Sequence, residues 1–301
     1  MGCAGSDAPE TVFTAHRSRL IGVAYRLLGS VGDAEDVVQE AWLRWGRVDT
    51  ETVANPEAFL VRTVSRLALD RLRRIAARRE TYVGPWLPEP VLTGGRDDPA
   101  AEAERAASVS LAMLVVLETL SPLERTVFVL HEAFAYSTAD IAEIVERSPA
   151  AVRQLAHRAR EHVAARRPRF PADPAVRRAA TERFLRASLE GDLAALLELL
   201  APDATLWADG GGKARAPLRP IRGADKIARF FAAIGTDPLP PGATVEIVEV
   251  NGGPAAVLVG PAGAIAVLQL DLGDDHRVVD LRLVGNPDKL TGLAALRSVT
   301  R

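Results

Sequence analysis

The side chains best placed to do chemistry lie in Ser137–Arg160, STADIAEIVERSPAAVRQLAHRAR. Arg153, Gln154, His157 and Arg158 recur there at helical spacing. Each carries hydrogen-bonding groups of the kind that pair with base edges in a DNA major groove. Arg147 and Arg160 flank them and suit phosphate contact. The chemistry implied is recognition rather than bond making. Four carboxylates of the last third, Asp203, Asp209, Asp271 and Asp280, could act as general bases. None is paired by spacing with an oxyanion donor, and tyrosine is absent after residue 174, so no catalytic residue is assigned. His276, beside Asp274 and Asp275, reads as an exposed turn residue. Asp209-Gly-Gly-Gly-Lys213 lacks the spacing of a phosphate-binding loop. The single cysteine, Cys3, excludes an internal disulfide and a cysteine-rich zinc site. Neither a metal nor a cofactor is expected.

Two short helices must position the basic residues. Ser137 with Asp140 reads as a capping signal for the first, and Ser148–Pro149 as N-cap and first position of the second. Ile141, Ile144 and Val145 share one face. Val152, Leu155, Ala159 and Val163 form a stripe on the other helix, and Ala142 is small where the two would cross. Burying that stripe turns Arg153, Gln154, His157 and Arg158 outward, as a helix entering a groove requires. A plain helical hairpin would carry the same arginines as solvated groups, so spacing alone leaves both readings open.

Net charge is −2, which by itself argues against a nucleic-acid partner. The distribution of charge points the other way. Arg62–Arg79 holds seven Arg and one Asp, and Arg147–Arg169 holds seven Arg and one Glu. Each stretch is therefore +6, and the compensating acids lie in 33–40, in 89–104 and in the last third. Only three of the 37 basic residues are Lys (Lys213, Lys226, Lys289), which suggests a GC-rich, bacterial genome. With 48% hydrophobic and 25% charged residues the chain reads as soluble and globular. No apolar run is long enough to cross a bilayer and no secretory segment is present, so a cytoplasmic protein without membrane contact is expected. The opening MGCAGS fits an acylation pattern that a few small residues match easily, and no anchor is inferred from it.

The chain divides into four parts. Residues 8–80 read as helices, with a start at Asp33–Asp36 and a longer helix from Asn55–Pro56. Residues 81–107 are rich in Pro, Gly and acid, and read as a linker. Residues 108–168 are helical again, and RRPRFPADP marks the next boundary. Residues 174–291 begin with helices near 175–190 and 193–200. A strand near 204–208 and a helix at 223–234 follow, then strands at 244–250, 255–259, 264–272 and 277–284. That order describes an α+β domain with helices on a curved sheet.

The N-terminal arrangement resembles a bacterial extracytoplasmic-function sigma factor. DAEDVVQEAWLRW is similar to the family's polymerase-binding helix, AFLVRTVSRLALDRLRR to its −10-reading segment and LETLSPLERTVFVLHEAFAYSTADIAEIVERSPAAVRQLAHRAR to its −35-reading domain. The resemblance implies two all-α sigma domains, the second with a helix-turn-helix, and two partners, core RNA polymerase and promoter DNA. It assigns polymerase binding to Glu35, Asp36, Gln39 and Glu40. The −10 role falls to Arg62, Arg66, Arg71, Arg73 and Arg74, which can neutralise phosphate. Arg66 stands where many members carry Asn, so no base preference is assigned there. The −35 role falls to Arg153, Gln154, His157 and Arg158, with Arg147 and Arg160 on phosphates.

Three further motifs, Trp86-Leu-Pro-Glu-Pro90, Asp209-Gly-Gly-Gly-Lys213 and Asn286-Pro-Asp-Lys-Leu290, resemble those of sigma factors with a SnoaL-like extension. The implied extension is a cone-shaped α+β fold similar to ketosteroid isomerases. It regulates the sigma activity in cis, and no separate anti-sigma factor is required. The residues singled out are Trp86, Pro88 and Glu89, Asp209, Gly210, Gly211, Gly212 and Lys213, and Asn286, Pro287, Asp288 and Lys289. Read without the family, the first is a proline-stiffened linker, the second a loop needing positive φ and the third an Asx–Pro turn. Folds of this type tend to enclose a pocket, which points to a small apolar ligand rather than catalysis. The alternative function is a helix-turn-helix regulator that never joins polymerase, with a ligand-sensing or vestigial enzyme-like C-terminal domain.

Overall fold

The computed structural model describes residues 9–79, 82–93, 110–165, 173–236, 238–293 and 296. Cys3, the MGCAGS opening, the expected helix start near Ser108, residues 94–107 of the linker and the boundary residues 166–172 lie outside them. The chain forms two compact units, Met1–Glu80 with Met113–Arg166, and Thr81–Ala112 with Arg167–Arg301.

The first unit is helical. It contains α1 (Pro9–Leu28), α2 (Val31–Trp45) and α3 (Pro56–Arg79). α4 (Leu111–Glu118) enters it at Met113, and α5 (Pro122–Phe128) continues into a π-helical turn at Val129–Ala133. α6 (Thr138–Val145) and α7 (Pro149–Ala164) complete it. α2 begins earlier than Asp33–Asp36 because Ser30 caps it, accepting from the Asp33 amide at 3.2 Å. Gly29, at φ 70°, ends the preceding helix one residue before that cap. Leu20, Leu27, Leu28, Trp45 and Leu60 form the fully buried centre, and the Trp45 indole donates to the Pro9 carbonyl at 2.8 Å.

One buried charge ties the helical segments together. Arg125 of α5 is 2% exposed; it donates twice to the Arg26 carbonyl of α1, at 3.0 and 3.2 Å, and also to Glu118. Desolvation draws its pKa down to about 9, still well above neutrality. The charge is retained because every direction in which the guanidinium points offers an oxygen.

The second unit carries α8 (Pro174–Glu190), α9 (Leu193–Leu199) and α10 (Ala224–Thr236). Its strands are β1 (Leu200–Asp209), β2 (Ile221–Arg222), β3 (Thr244–Val250), β4 (Gly253–Gly260), β5 (Gly263–Leu272) and β6 (Val278–Val284). The sheet order is β2-β1-β6-β5-β4-β3. β3 to β6 form the antiparallel meander expected from the sequence, while β1 joins β6 in parallel. Two-residue β2 carries no alternating pattern to announce it. The helices bury Phe184, Leu196, Ile227 and Phe231 against the sheet. Gly235 permits the closest helix approach, since a Cβ there would lie 1.6 Å from the Ser188 carbonyl oxygen.

Residues 82–93 are pinned rather than free. Leu92 forms an antiparallel bridge with Val250. Thr93 donates its amide to Glu249, and Asn251 exchanges hydrogen bonds with Val91. The proline-rich composition of this stretch predicts only a linker; the pairing uses main-chain groups and therefore leaves little trace in composition.

Candidate functional site

In the first unit the helix-turn-helix is built by its caps. Ser137 and Asp140 form a reciprocal capping box on α6, and Ser148 accepts from the Ala151 amide to start α7. Ile141, Ile144 and Val145 are buried, as are Val152, Leu155, Ala159 and Val163. That leaves Arg153, Gln154, His157, Arg158 and Arg160 exposed along α7. Among the described residues, no side-chain hydrogen bond or ion pair engages Arg153 or Gln154. Arg158 pairs with Glu124 at 3.2 Å, Arg160 with Glu132 at 2.7 Å and His157 with Glu161 at 3.5 Å. The Arg160 guanidinium holds the Glu132 carboxyl below its ordinary range. Arg147 donates to the Glu146 carbonyl at 3.0 Å.

On α3, Arg62, Arg66, Arg71, Arg73 and Arg74 are each engaged. Arg71 pairs with Asp33 and Asp36 of α2, chiefly through its hydrogen bonds to Asp33, which raise its pKa. Arg73 lies 3.1 Å from the Asp70 carboxylate and Arg74 donates to the Asp70 carbonyl. Arg62 and Arg66 reach α6: Arg62 is 2.7 Å from Glu143, and Arg66 donates to the carbonyls of Glu143 and Ile144. Sequence reasoning passes over Glu143 and Glu146, whose only signal is acidity at the end of a short helix. On α2, Glu35, Asp36, Gln39 and Glu40 share an exposed face, where Glu35 and Gln39 border a hollow with Phe13, Arg17 and Trp42.

The second unit brings the three short motifs to one point. Asp209, at the end of β1, is fully buried. Its carboxylate accepts from the Tyr82 hydroxyl at 2.6 Å, the Leu87 amide at 2.8 Å and the Lys289 ammonium at 2.7 Å. Lys289 also donates to the Leu87 carbonyl and lies 3.9 Å from the Trp86 ring centroid. An ammonium with three donors and an aromatic face beside it fills this space as a guanidinium would not. Burial, and then the hydrogen bond to Asp209, push the Tyr82 pKa well up. Asn286 donates to the Tyr82 hydroxyl at 2.9 Å, and its side-chain oxygen accepts from Asp288 to make the Asx turn. Gly211 and Gly212 adopt φ of 57° and 72°; a Cβ on Gly211 would stand 2.3 Å from the Asn286 side-chain nitrogen. Gly210 packs as closely, against Ala214. Pro88 and Glu89 are buried, whereas Lys213 is exposed and pairs with Asp288, next to Pro287.

Tyr82 corrects one inference from the sequence. Tyrosine is absent after residue 174, yet the preceding segment supplies one to Asp209. Of the other carboxylates, Asp271 and Asp280 face Arg282, Asp280 also accepts from Trp207, and Asp203 is exposed. Burial raises the Asp280 pKa. None of the four lines the cavity of about 530 Å³ between α8, α10 and the sheet, whose wall includes Leu189, Phe231, Leu258, Leu268 and Leu283.

Residues 12–79 match Sigma-70 region 2, 110–163 match Sigma-70, region 4, and 181–284 match the SnoaL-like domain. The chain belongs to the extracytoplasmic-function (ECF) RNA polymerase sigma factors, in the form that carries a C-terminal SnoaL-like domain. It is 43% identical over 291 residues to the ECF RNA polymerase sigma factor SigJ of Mycobacterium tuberculosis, covering 93% of this chain and 92% of SigJ. It is 33% identical over 292 residues to the probable ECF RNA polymerase sigma factor SigI of the same organism, covering 96% and 97%. The crystal structure of SigJ superimposes with a TM-score of 0.76 at 41% identity, over 94% of this chain and 99% of that one. Among the described residues no helix is long and apolar enough to cross a membrane.

The Asp209–Lys289 pair yields a direct expectation. Lys289→Met leaves a buried carboxylate short of its cation and should cost the second unit about 3–5 kcal/mol in urea unfolding. Asp209→Leu combined with Lys289→Met should recover much of that loss. Strictly additive losses in the double-mutant cycle would show that the two do not act as a pair.

Proposed function

We propose that this chain binds core RNA polymerase, directs it to particular promoters and is modulated in cis by its C-terminal domain. The observation that carries the reading is the presence on one chain of both sigma regions, each with its own arginine-rich helix. Residues 8–80 serve polymerase and the −10 element, 81–107 connect, 108–168 serve the −35 element and 174–291 regulate. Glu35, Asp36, Gln39 and Glu40 offer an acidic face to polymerase. Arg62, Arg66, Arg71, Arg73 and Arg74 neutralise the −10 region. Arg153, Gln154, His157 and Arg158 approach base edges, while Arg147 and Arg160 meet phosphates. The work is done in the cytoplasm, where polymerase and DNA are, and no separate anti-sigma factor is needed.

No reaction step is assigned to the second unit. Its cavity is walled by aliphatic and aromatic side chains, and no candidate carboxylate faces it. This suits a small, uncharged, apolar molecule held as a signal.

Three experiments test these assignments. Arg153→Ala should weaken −35-dependent run-off transcription by about 1–3 kcal/mol, the scale of one base contact. Equal loss on every promoter would make the residue a phosphate contact instead. Truncation after Phe170 should change promoter-selected transcript levels relative to the full chain, with Lys289→Met shifting them in the same direction; unaltered levels would remove regulation in cis. Nile red should bind the full chain and be lost from Leu258→Trp, and retention of binding there would place the dye elsewhere.

A further inference from the structure

We propose that Glu124 is a positioning residue for promoter recognition, fixing the Arg158 guanidinium so that its free edge selects guanine. The inference rests on the reading that α7 enters the −35 major groove with Arg158 toward base edges. Arg158 donates its Nε–H to Glu124 Oε1 at 3.2 Å. The other carboxylate oxygen, Oε2, accepts from the Ser121 hydroxyl at 2.7 Å and from the Ser121 amide at 3.2 Å. The same hydroxyl accepts from the Glu124 amide at 3.3 Å, which closes the capping box that starts α5. Arg125 and Thr126, the next two residues, are buried, so the turn that carries Glu124 is itself anchored. One carboxylate oxygen thus serves the start of α5 and the other serves the recognition helix. Burial by itself raises the Glu124 pKa; Ser121 and then Arg158 outweigh it, and the carboxyl stays below its ordinary range.

The nitrogen that is held decides what the arginine can do. A guanidinium gripped at Nε keeps both Nη groups, the fork that matches O6 and N7 of guanine. Arg160 is also gripped at Nε, by Glu132, but its Nη2 lies 3.4 Å from His131, so part of its fork is taken. An exposed ion pair ordinarily gains little, because two long side chains must both be ordered. Here the Glu124 side chain is only 20% exposed and already held by Ser121, whereas Arg158 is 59% exposed. The pair therefore orders one side chain, and that one belongs to the reading face. Ordering it before DNA arrives removes an entropic cost from the correct complex and narrows the directions in which the fork can point. His157 has no comparable support, since its partner Glu161 is itself largely exposed on the same helix. A carboxylate beside a DNA-facing helix repels phosphate, so by charge alone Glu124 would hinder binding to every duplex. Positioning has a different signature, a preference confined to one base pair.

The test compares the holoenzyme of the full chain and core polymerase with those of Glu124→Gln, Glu124→Asp and Arg158→Ala. Glutamine at this position still caps a helix. Aspartate does so too, as Asp140 does in the capping box of α6. Glu124→Asp keeps the charge but shortens the reach to Arg158. Each holoenzyme selects from a duplex library randomised across both promoter elements, and the enriched sequences are aligned. Arg158→Ala should abolish a guanine preference of about tenfold at one −35 position, the scale of a bidentate contact. Both Glu124 variants should lower that preference by about threefold or more, leave other positions unchanged and bind an unrelated duplex no more weakly. A Glu124→Asp profile like that of the unsubstituted chain makes charge rather than reach responsible, and overturns the positioning role. Equal loss at every position makes Glu124 a structural residue of α5, and overturns it as well. If Arg158→Ala flattens one position and neither Glu124 variant does, the −35 assignment stands and the inference falls. If Arg158→Ala alters no position, or the unsubstituted holoenzyme enriches no sequence, the underlying reading falls with it.

Discussion

A carboxylate with no access to water must be given its counter-charge and hydrogen bonds by the fold, and Asp209 obtains them from two distant stretches of the chain. Tyr82 and Leu87 come from the segment that follows the first sigma region, and Lys289 from the turn after the last strand. Removing any one partner leaves the rest short in a place where solvent cannot substitute. This arrangement makes the connection between the sigma regions part of the C-terminal unit. Residues 82–93, which lie between the sigma regions in the sequence, are thereby held by side chains of that unit.

The electrostatics of the helical unit follow a related logic. A near-neutral protein with two stretches of +6 distributes its acids where they meet those arginines. Asp33 and Asp36 take Arg71, Glu143 takes Arg62, Glu124 takes Arg158 and Glu132 takes Arg160. Most of these pairs are exposed and each contributes little to stability. Their effect is to lower the positive potential at the surface of the unit.

Local order is plain in the sequence wherever side chains create it. Ser137 and Ser148 announce the two helices of the helix-turn-helix, and the buried stripe from Val152 to Val163 fixes which face of α7 is left exposed. The meander from β3 to β6 is visible in runs of Val, Leu and Ala. Long-range partners are not. Nothing near Tyr82 says that its hydroxyl meets Asp209, and nothing near Leu92 says that it bridges to Val250. The earlier start of α2 at Ser30 is readable in principle, but Asp33–Asp36 offers a competing cap. Of the candidate sites, the exposed face of α7 is legible because one helix supplies it all. The engagement of Arg66 is hidden because it depends on how two segments 77 and 78 residues apart pack.

The turn between α6 and α7 carries a cost of its own. Glu146 adopts φ 55°, a left-handed backbone conformation that glycine tolerates and a glutamate resists by about 1–2 kcal/mol. A chain optimised for thermal robustness alone would place glycine here. It would then surrender the carboxylate that stands 3.6 Å from Arg66. The strain is a small store of energy at the joint where α6 meets the recognition helix, and consensus engineering for stability would erase it together with the charge.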